Sequence, residues 1–282
     1  MKLLRYGPAG QEKPGLLDRD GTIRDLSSLV PDITGATLDA ATLQRIAAAD
    51  TSALPAVSGN PRIGPCVGQV PDFICVGLNY ADHAAESGLP IPSEPILFTK
   101  VTSCIIGPND DVKLPKGSTK SDWEVELGIV IGKKAQYVTE AEALDYVAGY
   151  CVVNDVSERE FQIERLGQWV KGKSADTFGP IGPWLVTKDE VPDTGNLAMF
   201  CDVSGVRRQS GNTSTMIFKA PFLVSYISQF MTLMPGDVIA TGTPPGVGLG
   251  MKPPTYLKAG DEMHLGIAGL GEQRQRVVAY EA

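Results

Sequence analysis

One run of residues constrains the fold of this chain more than any other. Asp122-Trp123-Glu124-Val125-Glu126-Leu127-Gly128-Ile129-Val130-Ile131 begins with charges set between apolar residues and ends with no polar side chain at all. Residues two apart in a strand share a face, so Glu124 and Glu126 point one way and Trp123, Val125 and Leu127 the other. The carboxylate face continues into Gly128 and Val130, which leaves the strand apolar on both sides. Such a strand runs into an interior, and its two carboxylates stand at the mouth of a cavity. Two like charges there repel unless a cation lies between them. A Glu-x-Glu pair on an ordinary strand is simply a solvent-facing edge, and the run alone leaves both readings open.

The rest of the chain supplies more strands than helices. Buried-strand runs fall at Phe73–Leu78, Tyr150–Val153 and Asp237–Ala240, separated by loops rich in Gly and Pro. Helical patterns are few: 38–49, 80–87, 141–146, 158–166 and 220–230. Regular βαβ alternation is missing, as is a G-x-G-x-x-G following a strand, so a dinucleotide-binding domain is excluded. The expected class is mainly β with peripheral helices, an α+β roll or sandwich. Near the N-terminus, Asp20-Gly21 between apolar runs predicts a hairpin. The Pro- and Gly-rich stretch 55–71 then predicts a boundary, giving a small N-terminal β/α domain over 1–68 and a larger one over 69–282.

Charge and cysteine usage narrow the partners. The 282 residues carry a formal net charge of −8, so nucleic acid and anionic membranes, which both require a basic footprint, are poor partners. An anionic small molecule is still allowed, because local cations or a metal ion reverse the field inside a pocket. Cys66, Cys75, Cys104, Cys151 and Cys201 are odd in number and contain no C-x-x-C pair. A reducing cytoplasm is therefore the default expectation. No run approaches the roughly 20 apolar residues of a membrane span.

Three further segments carry candidate chemistry. Asp155 ends an apolar strand and adds a third carboxylate, although Asp155-Val156-Ser157-Glu158 also has the form of a helix cap. Arg159 and Gln162 follow, three apart and therefore on one helical face. An arginine there can fork onto a substrate carboxylate, or the pair can be plain surface polarity. His83 and Glu86 are likewise three apart on a short helix. The glutamate would orient the imidazole and stabilise its protonated form, which suits a base drawing a proton from water; a surface ion pair is the alternative. One of Lys171 and Lys173 can neutralise an enolate or carboxylate. Thr241-Gly242-Thr243-Pro244-Pro245-Gly246-Val247-Gly248 lacks the Gly-Lys-Ser/Thr ending of a phosphate loop. It reads as a plain turn or as a small-anion contact through Thr243.

In order and spacing, these segments resemble the fumarylacetoacetate hydrolase family. The likeness runs from about Phe73 to the C-terminus through Gly77-Leu78-Asn79-Tyr80-Ala81-Asp82-His83, Glu94-Pro95-Ile96-Leu97-Phe98-Thr99-Lys100, Trp123-Glu124-Val125-Glu126-Leu127, Asn154-Asp155-Val156-Ser157-Glu158-Arg159, Met216-Ile217-Phe218 and Thr241-Gly242-Thr243-Pro244. The resemblance implies a β-sandwich roll, usually a homodimer, with Glu124, Glu126 and Asp155 as metal ligands. It gives His83 and Glu86 the part of a water-activating dyad on a mobile lid, Lys173 that of the active-site lysine, and Arg159, Gln162 and Thr243 contacts to substrate. An all-oxygen ligand set suits Mg²⁺ or Mn²⁺ better than Zn²⁺. The N-terminal segment resembles a bacterial two-domain branch whose members cleave 2,4-diketo-3-deoxy-L-fuconate or L-rhamnonate. The expected activity is hydrolysis of the C3–C4 bond of such a 2-oxo acid to pyruvate and a hydroxy acid such as L-lactate. Acylpyruvase, oxaloacetate decarboxylase and ureidoglycolate lyase are sibling activities on the same site. A module that merely binds metal or sugar acid is the alternative of another class, and it would have no use for the His83–Glu86 pair.

Overall fold

A computed structural model describes residues 1–86 and 88–281. Ser87, the last residue of the helix expected over 80–87, and Ala282, the end of the expected second domain, lie outside the described residues. The chain is mostly β. A large sheet runs in the order Ile23–Asp25, Lys13–Leu17, Lys2–Tyr6, Gly179–Thr187, Val147–Asn154, Val125–Ile131, Val238–Ala240, Phe73–Gly77 and Ile96–Lys100, and Ile105–Ile106 pairs off Gly179–Thr187. A second sheet runs Val206–Asn212, Ala198–Val203, Glu262–Ile267, Gly271–Val278 and Val112–Lys113. Among the described residues four short α-helices lie around them: α1 (Ala40–Ala47), α2 (Ala81–Glu86), α3 (Val170–Lys173) and α4 (Ala220–Ile227).

The apolar run that opened the sequence reading is a central strand. Every residue of Val125–Ile131 is buried, with Val147–Asn154 on one side and Val238–Ala240 on the other. The two sheets are joined by polar side chains as well as apolar ones. Gln209, Gln273 and Gln275 come from the second sheet and are fully buried. Gln209 accepts from Val125 N at 3.0 Å, Gln273 donates to Val152 O at 2.8 Å, and Gln275 accepts from Asn154 Nδ2 at 3.1 Å. A buried amide without such partners would cost about 1–3 kcal/mol, so these bonds fix how the second sheet sits on the first.

The Asp20-Gly21 hairpin forms, with Lys13–Leu17 pairing Ile23–Asp25 and Gly21 at φ +84°. Its neighbour Lys2–Tyr6 pairs with Gly179–Thr187. The large sheet therefore runs across the expected boundary at residue 68. The helix expected over 38–49 is α1, capped by Asp39, which accepts from Thr42 N at 3.0 Å. Two helical expectations are corrected. Residues 141–146 give only a 3₁₀ turn at Ala143–Tyr146. The 158–166 stretch splits into the short strand Ser157–Glu158, paired with Ser121–Asp122, and a π-helical turn at Glu160–Glu164. Strand pairing claims Glu158, and its carboxylate then caps the turn by accepting from Phe161 N at 2.7 Å.

Candidate active site

The cavity follows from where strands end. Val125–Ile131 begins there, Val147–Asn154, Val238–Ala240 and Phe73–Gly77 finish there, and Ile96, paired with Gly77, stands beside them. Residues just outside three of these ends, Glu124, Asp155 and Leu78, line a shared space. Glu124 precedes one strand and Asp155 follows its neighbour. Glu124, Glu126 and Asp155 are buried, and each offers a carboxylate oxygen within 4.8 Å of the others. The cavity holds about 590 Å³ and is also lined by His83, Glu86, Arg159, Gln162, Lys173 and Thr243. All nine residues singled out in the sequence thus meet in one place. A cavity of about 500 Å³ under α1, beside Met1 and Leu43, lacks such a cluster; among the described residues the triad is the sole group of this kind.

The electrostatics of the triad are uneven. Lys173 Nζ lies 2.6 Å from Glu124 Oε2 and 2.7 Å from Asp155 Oδ2. Arg159 Nη2 lies 2.7 Å from Glu124 Oε1. Burial works to raise the Glu124 pKa, but Lys173 and Arg159 outweigh it and hold the carboxyl at about 2. Glu126 is different: burial, then Asp155 and Glu124, push its carboxyl well above the usual range. Its one protein hydrogen bond among the described residues comes from Gly242 N at 2.7 Å. Lys173 is itself fully buried; burial opposes its charge, and Asp155 and Glu124 overcome that and raise its pKa.

Asp155 does not cap a helix. Its Oδ1 accepts from Lys100 Nζ at 2.6 Å and its Oδ2 from Lys173, and the cap is made by Glu158 instead. Lys171 is exposed and donates to Arg165 O, which leaves Lys173 as the lysine of the cavity. The close approach of α3 depends on Gly172. A Cβ there would stand 2.4 Å from Glu158 O and 2.5 Å from Gln162 N. Arg159 Nη1 donates to Gln162 Oε1 at 3.0 Å, so the two do share a face. Thr243 donates its hydroxyl to Val125 O at 2.9 Å and accepts from Gln209 Nε2 at 2.8 Å.

At the mouth, His83 Nδ1 lies 3.2 Å from Glu86 Oε2. Glu86 also accepts from Gly246 N at 3.2 Å, which ties α2 to the 241–248 loop. That loop is more than a turn. Its backbone N–H groups serve three carboxylates: Gly242 donates to Glu126, Gly246 to Glu86, and Gly248 to Asp122 Oδ1 at 2.7 Å. Asp122 also accepts from Arg159 Nε at 2.8 Å.

Sequence reading missed Lys100, Asp122 and Gln209. Asp122 was in view as the first letter of the Glu-x-Glu run, and Lys100 as the last of a motif, but nothing in the sequence points to their partners. Gln209 gave no signal.

The donor set fits a hard divalent cation. It is all oxygen, buried and convergent, and Glu126, whose charged form burial and its neighbour carboxylates disfavour, would be stabilised by a cation.

Comparison with known proteins agrees with the motif order. Residues 72–278 match the family model described as fumarylacetoacetate (FAA) hydrolase C-terminal. A Burkholderia multivorans protein, named as a hydrolase with no substrate given, is 66% identical over 98% of each chain. Among solved structures, fumarylacetoacetate hydrolase from Exiguobacterium antarcticum is 36% identical, with a TM-score of 0.87 over 99% of this chain and 100% of that one. A 5-carboxymethyl-2-hydroxymuconate delta-isomerase from Mycobacterium smegmatis is 31% identical, with a TM-score of 0.78 over 100% of both. Maleylpyruvate hydrolase from Sphingobium sp. SYK-6, solved with manganese(II) and pyruvate, is 28% identical, with a TM-score of 0.82 over 100% of both.

Proposed function

Because the chain belongs to the fumarylacetoacetate hydrolase family, we propose that it is a metal-dependent hydrolase of 2,4-dioxo acids. The observation that carries this reading is the presence, in one cavity, of a carboxylate triad and a His–Glu pair. Glu124, Glu126 and Asp155 would hold Mg²⁺ or Mn²⁺. Bound there, the ion supplies Lewis-acid polarisation of a substrate oxygen.

The chain's own residues supply the rest. Glu86 accepts from Nδ1–H of His83, which leaves Nε2 as the basic nitrogen. His83 takes a proton from water as its oxygen bonds to C4 of the substrate. The C3–C4 bond then breaks, its electron pair passes to C3 and the 2-oxo group, and a proton returned to C3 completes pyruvate. The other product is the carboxylic acid built on C4. Lys173, fixed between Glu124 and Asp155, sets positive charge where the departing enolate gathers negative charge. Arg159 and Gln162 bind the substrate's carboxylate, and Thr243 lines the same cavity. Among possible tails, the 1-hydroxyethyl group of a 2,4-diketo-3-deoxy-L-fuconate or L-rhamnonate would yield L-lactate. A second reading, proton transfer on the same enolate without water attack, draws support from the isomerase among the similar structures.

Pyruvate release from a panel of 2,4-dioxo acids, oxaloacetate and ureidoglycolate, with Mn²⁺ and after chelation, tests the proposal. Release from dioxo acids that stops with the chelator supports it. Release confined to oxaloacetate, or no release anywhere, rejects hydrolysis.

A further inference from the structure

We propose that Asp122 is a positioning residue that ties the Arg159 guanidinium to the 246–250 loop, so that a carboxylate bound at Arg159 sets the place of Glu86. This deepens the hydrolase reading above and rests on it for the parts played by Arg159 and Glu86. Strand register brings Asp122 within reach, because it stands opposite Ser157, two residues before Arg159. Its side chain is fully buried and is not part of the cavity lining. Oδ1 accepts from Trp123 N at 2.9 Å and Gly248 N at 2.7 Å. Oδ2 accepts from Leu249 N at 3.0 Å and Arg159 Nε at 2.8 Å. Two bonds on each oxygen use the four lone-pair sites of a carboxylate. Asp122 thus has no capacity left for substrate or metal, and what it does is hold other groups in place.

The groups it joins both belong to the site. Arg159 spends its remaining nitrogens on Glu124 at 2.7 Å and Gln162 at 3.0 Å, so Asp122 fixes the third corner of the guanidinium. On the other side Asp122 holds the 3₁₀ turn Gly248–Gly250 by its backbone. Trp123, the next residue, donates Nε1 to Gly246 O at 3.1 Å, and Gly246 N donates to Glu86 at 3.2 Å. Gly250 packs on the same carboxylate, where a Cβ would stand 3.0 Å from Glu86 Oε2. The turn has little freedom of its own, since a Cβ on Gly248 would stand 1.9 Å from Thr255 O. A guanidinium drawn toward a bound carboxylate therefore pulls on Asp122, and through it on the turn that abuts Glu86. Charge-assisted bonds are the strong ones, and a close-packed interior transmits such a displacement.

Oxalate, a carboxylate probe that is not turned over, reads the Arg159 arm by calorimetry in excess Mn²⁺. Asp122→Asn keeps the shape and removes the charge, and should lower oxalate affinity about 10-fold. In an Arg159→Ala background the same change should cost less than about 2-fold. Turnover reads the loop arm. Asp122→Asn should lower kcat on 2,4-dioxopentanoate about 10-fold, and lower it no further once Glu86→Gln is present. Hydrogen exchange of the wild type reads the link without any variant: oxalate should slow exchange over residues 246–250, and Asp122→Asn should abolish that slowing. Asp261→Asn controls for the loss of a buried carboxylate elsewhere. Asp261 accepts from Ser204 Oγ and Lys258 N and is not part of the cavity lining, so this variant should match the wild type in all three measurements. If no dioxo acid is cleaved while affinity and exchange respond as stated, the hydrolase reading fails and the positioning role stands. The positioning role is overturned, with the hydrolase reading untouched, if Asp122→Asn costs the same with and without Arg159, if Asp261→Asn reproduces its losses, or if oxalate leaves wild-type exchange over the loop unchanged.

Discussion

Glu126 makes no ion pair among the described residues, and Lys100 shows how the rest of the triad is held. Lys100 is buried, and its ammonium meets Asp155 Oδ1 at 2.6 Å and Val156 O at 3.0 Å. Removing one partner of a buried ion pair leaves the other charge uncompensated. Lys100→Met should therefore cost about 3–5 kcal/mol of stability, measured by denaturant unfolding; a loss below 1 kcal/mol would mean that Lys173 alone satisfies Asp155. His83→Ala carries a different expectation. Loss of a general base typically slows a reaction by about 10²–10⁴-fold, so dioxo-acid hydrolysis should collapse while any oxaloacetate decarboxylation, which needs no water attack, falls far less. Wild-type hydrolysis by this variant would remove the dyad from the mechanism. Sequence made His83 and Glu86 legible because the pair is local, three residues apart. Lys100 was illegible for the opposite reason. An isolated lysine reads as exposed, and its partner lies 55 positions away, so only the folded sheet brings the two together.

Strands were easier to read than helices, and the difference has a physical source. Apart from Glu126 the run 125–131 is apolar, and burial on both faces leaves it few alternatives. The 158–166 segment carries a helical pattern, but pairing with Ser121–Asp122 takes its first residues and leaves only a π-helical turn. Asp155 could be read as a cap or as a ligand; two lysines take its oxygens, and Glu158 makes the cap instead. The 241–248 loop resisted sequence reading because its function lies in backbone N–H groups, which every residue but proline has. The junction between α3 and the π-helical turn invites a test at this scale. Gly172→Ala would place a methyl 2.4 Å from Glu158 O, so α3 must shift and carry Lys173 with it. Overpacking of this kind costs about 1–3 kcal/mol, and kcat should fall with Lys173 displaced from Glu124 and Asp155. Unchanged stability and unchanged kcat would show that α3 does not set the lysine's position.

At the scale of the whole molecule the large sheet draws strands from both sides of residue 68, all five cysteines are buried and free, and no helix among the described residues is long and apolar enough to cross a membrane. The homodimer that the resemblance implies has a candidate face on α4 and the residues flanking it, where Phe218, Phe222, Tyr226 and Phe230 stack in series and Phe230 is 64% exposed. Sedimentation should give a dimer, and Phe230→Asp should weaken it; a monomeric wild type at micromolar concentration would discard that face. A metal at the proposed site would link it to the stability of the fold. Folding gathers Asp122, Glu124 and Asp155 against Lys100, Arg159 and Lys173 in a buried space, with Glu126 beside them. An ion that binds only the folded chain stabilises it by mass action, about 2.7 kcal/mol when its free concentration is 100 times Kd. Chelation should thus lower the unfolding midpoint and abolish turnover together, and Mn²⁺ or Mg²⁺ should restore both. Because the ligands lie at the ends of central strands and not on a surface loop, the stabilisation should appear in global unfolding, with the slope of the denaturant curve unchanged. Glu126→Gln should remove most of the metal-dependent stabilisation while costing the metal-free protein little, since burial and the neighbouring carboxylates already disfavour the charged form of Glu126 when no ion is bound. Full activity in a verifiably metal-free sample, with an unfolding midpoint indifferent to Mn²⁺, would reject the triad as a metal site.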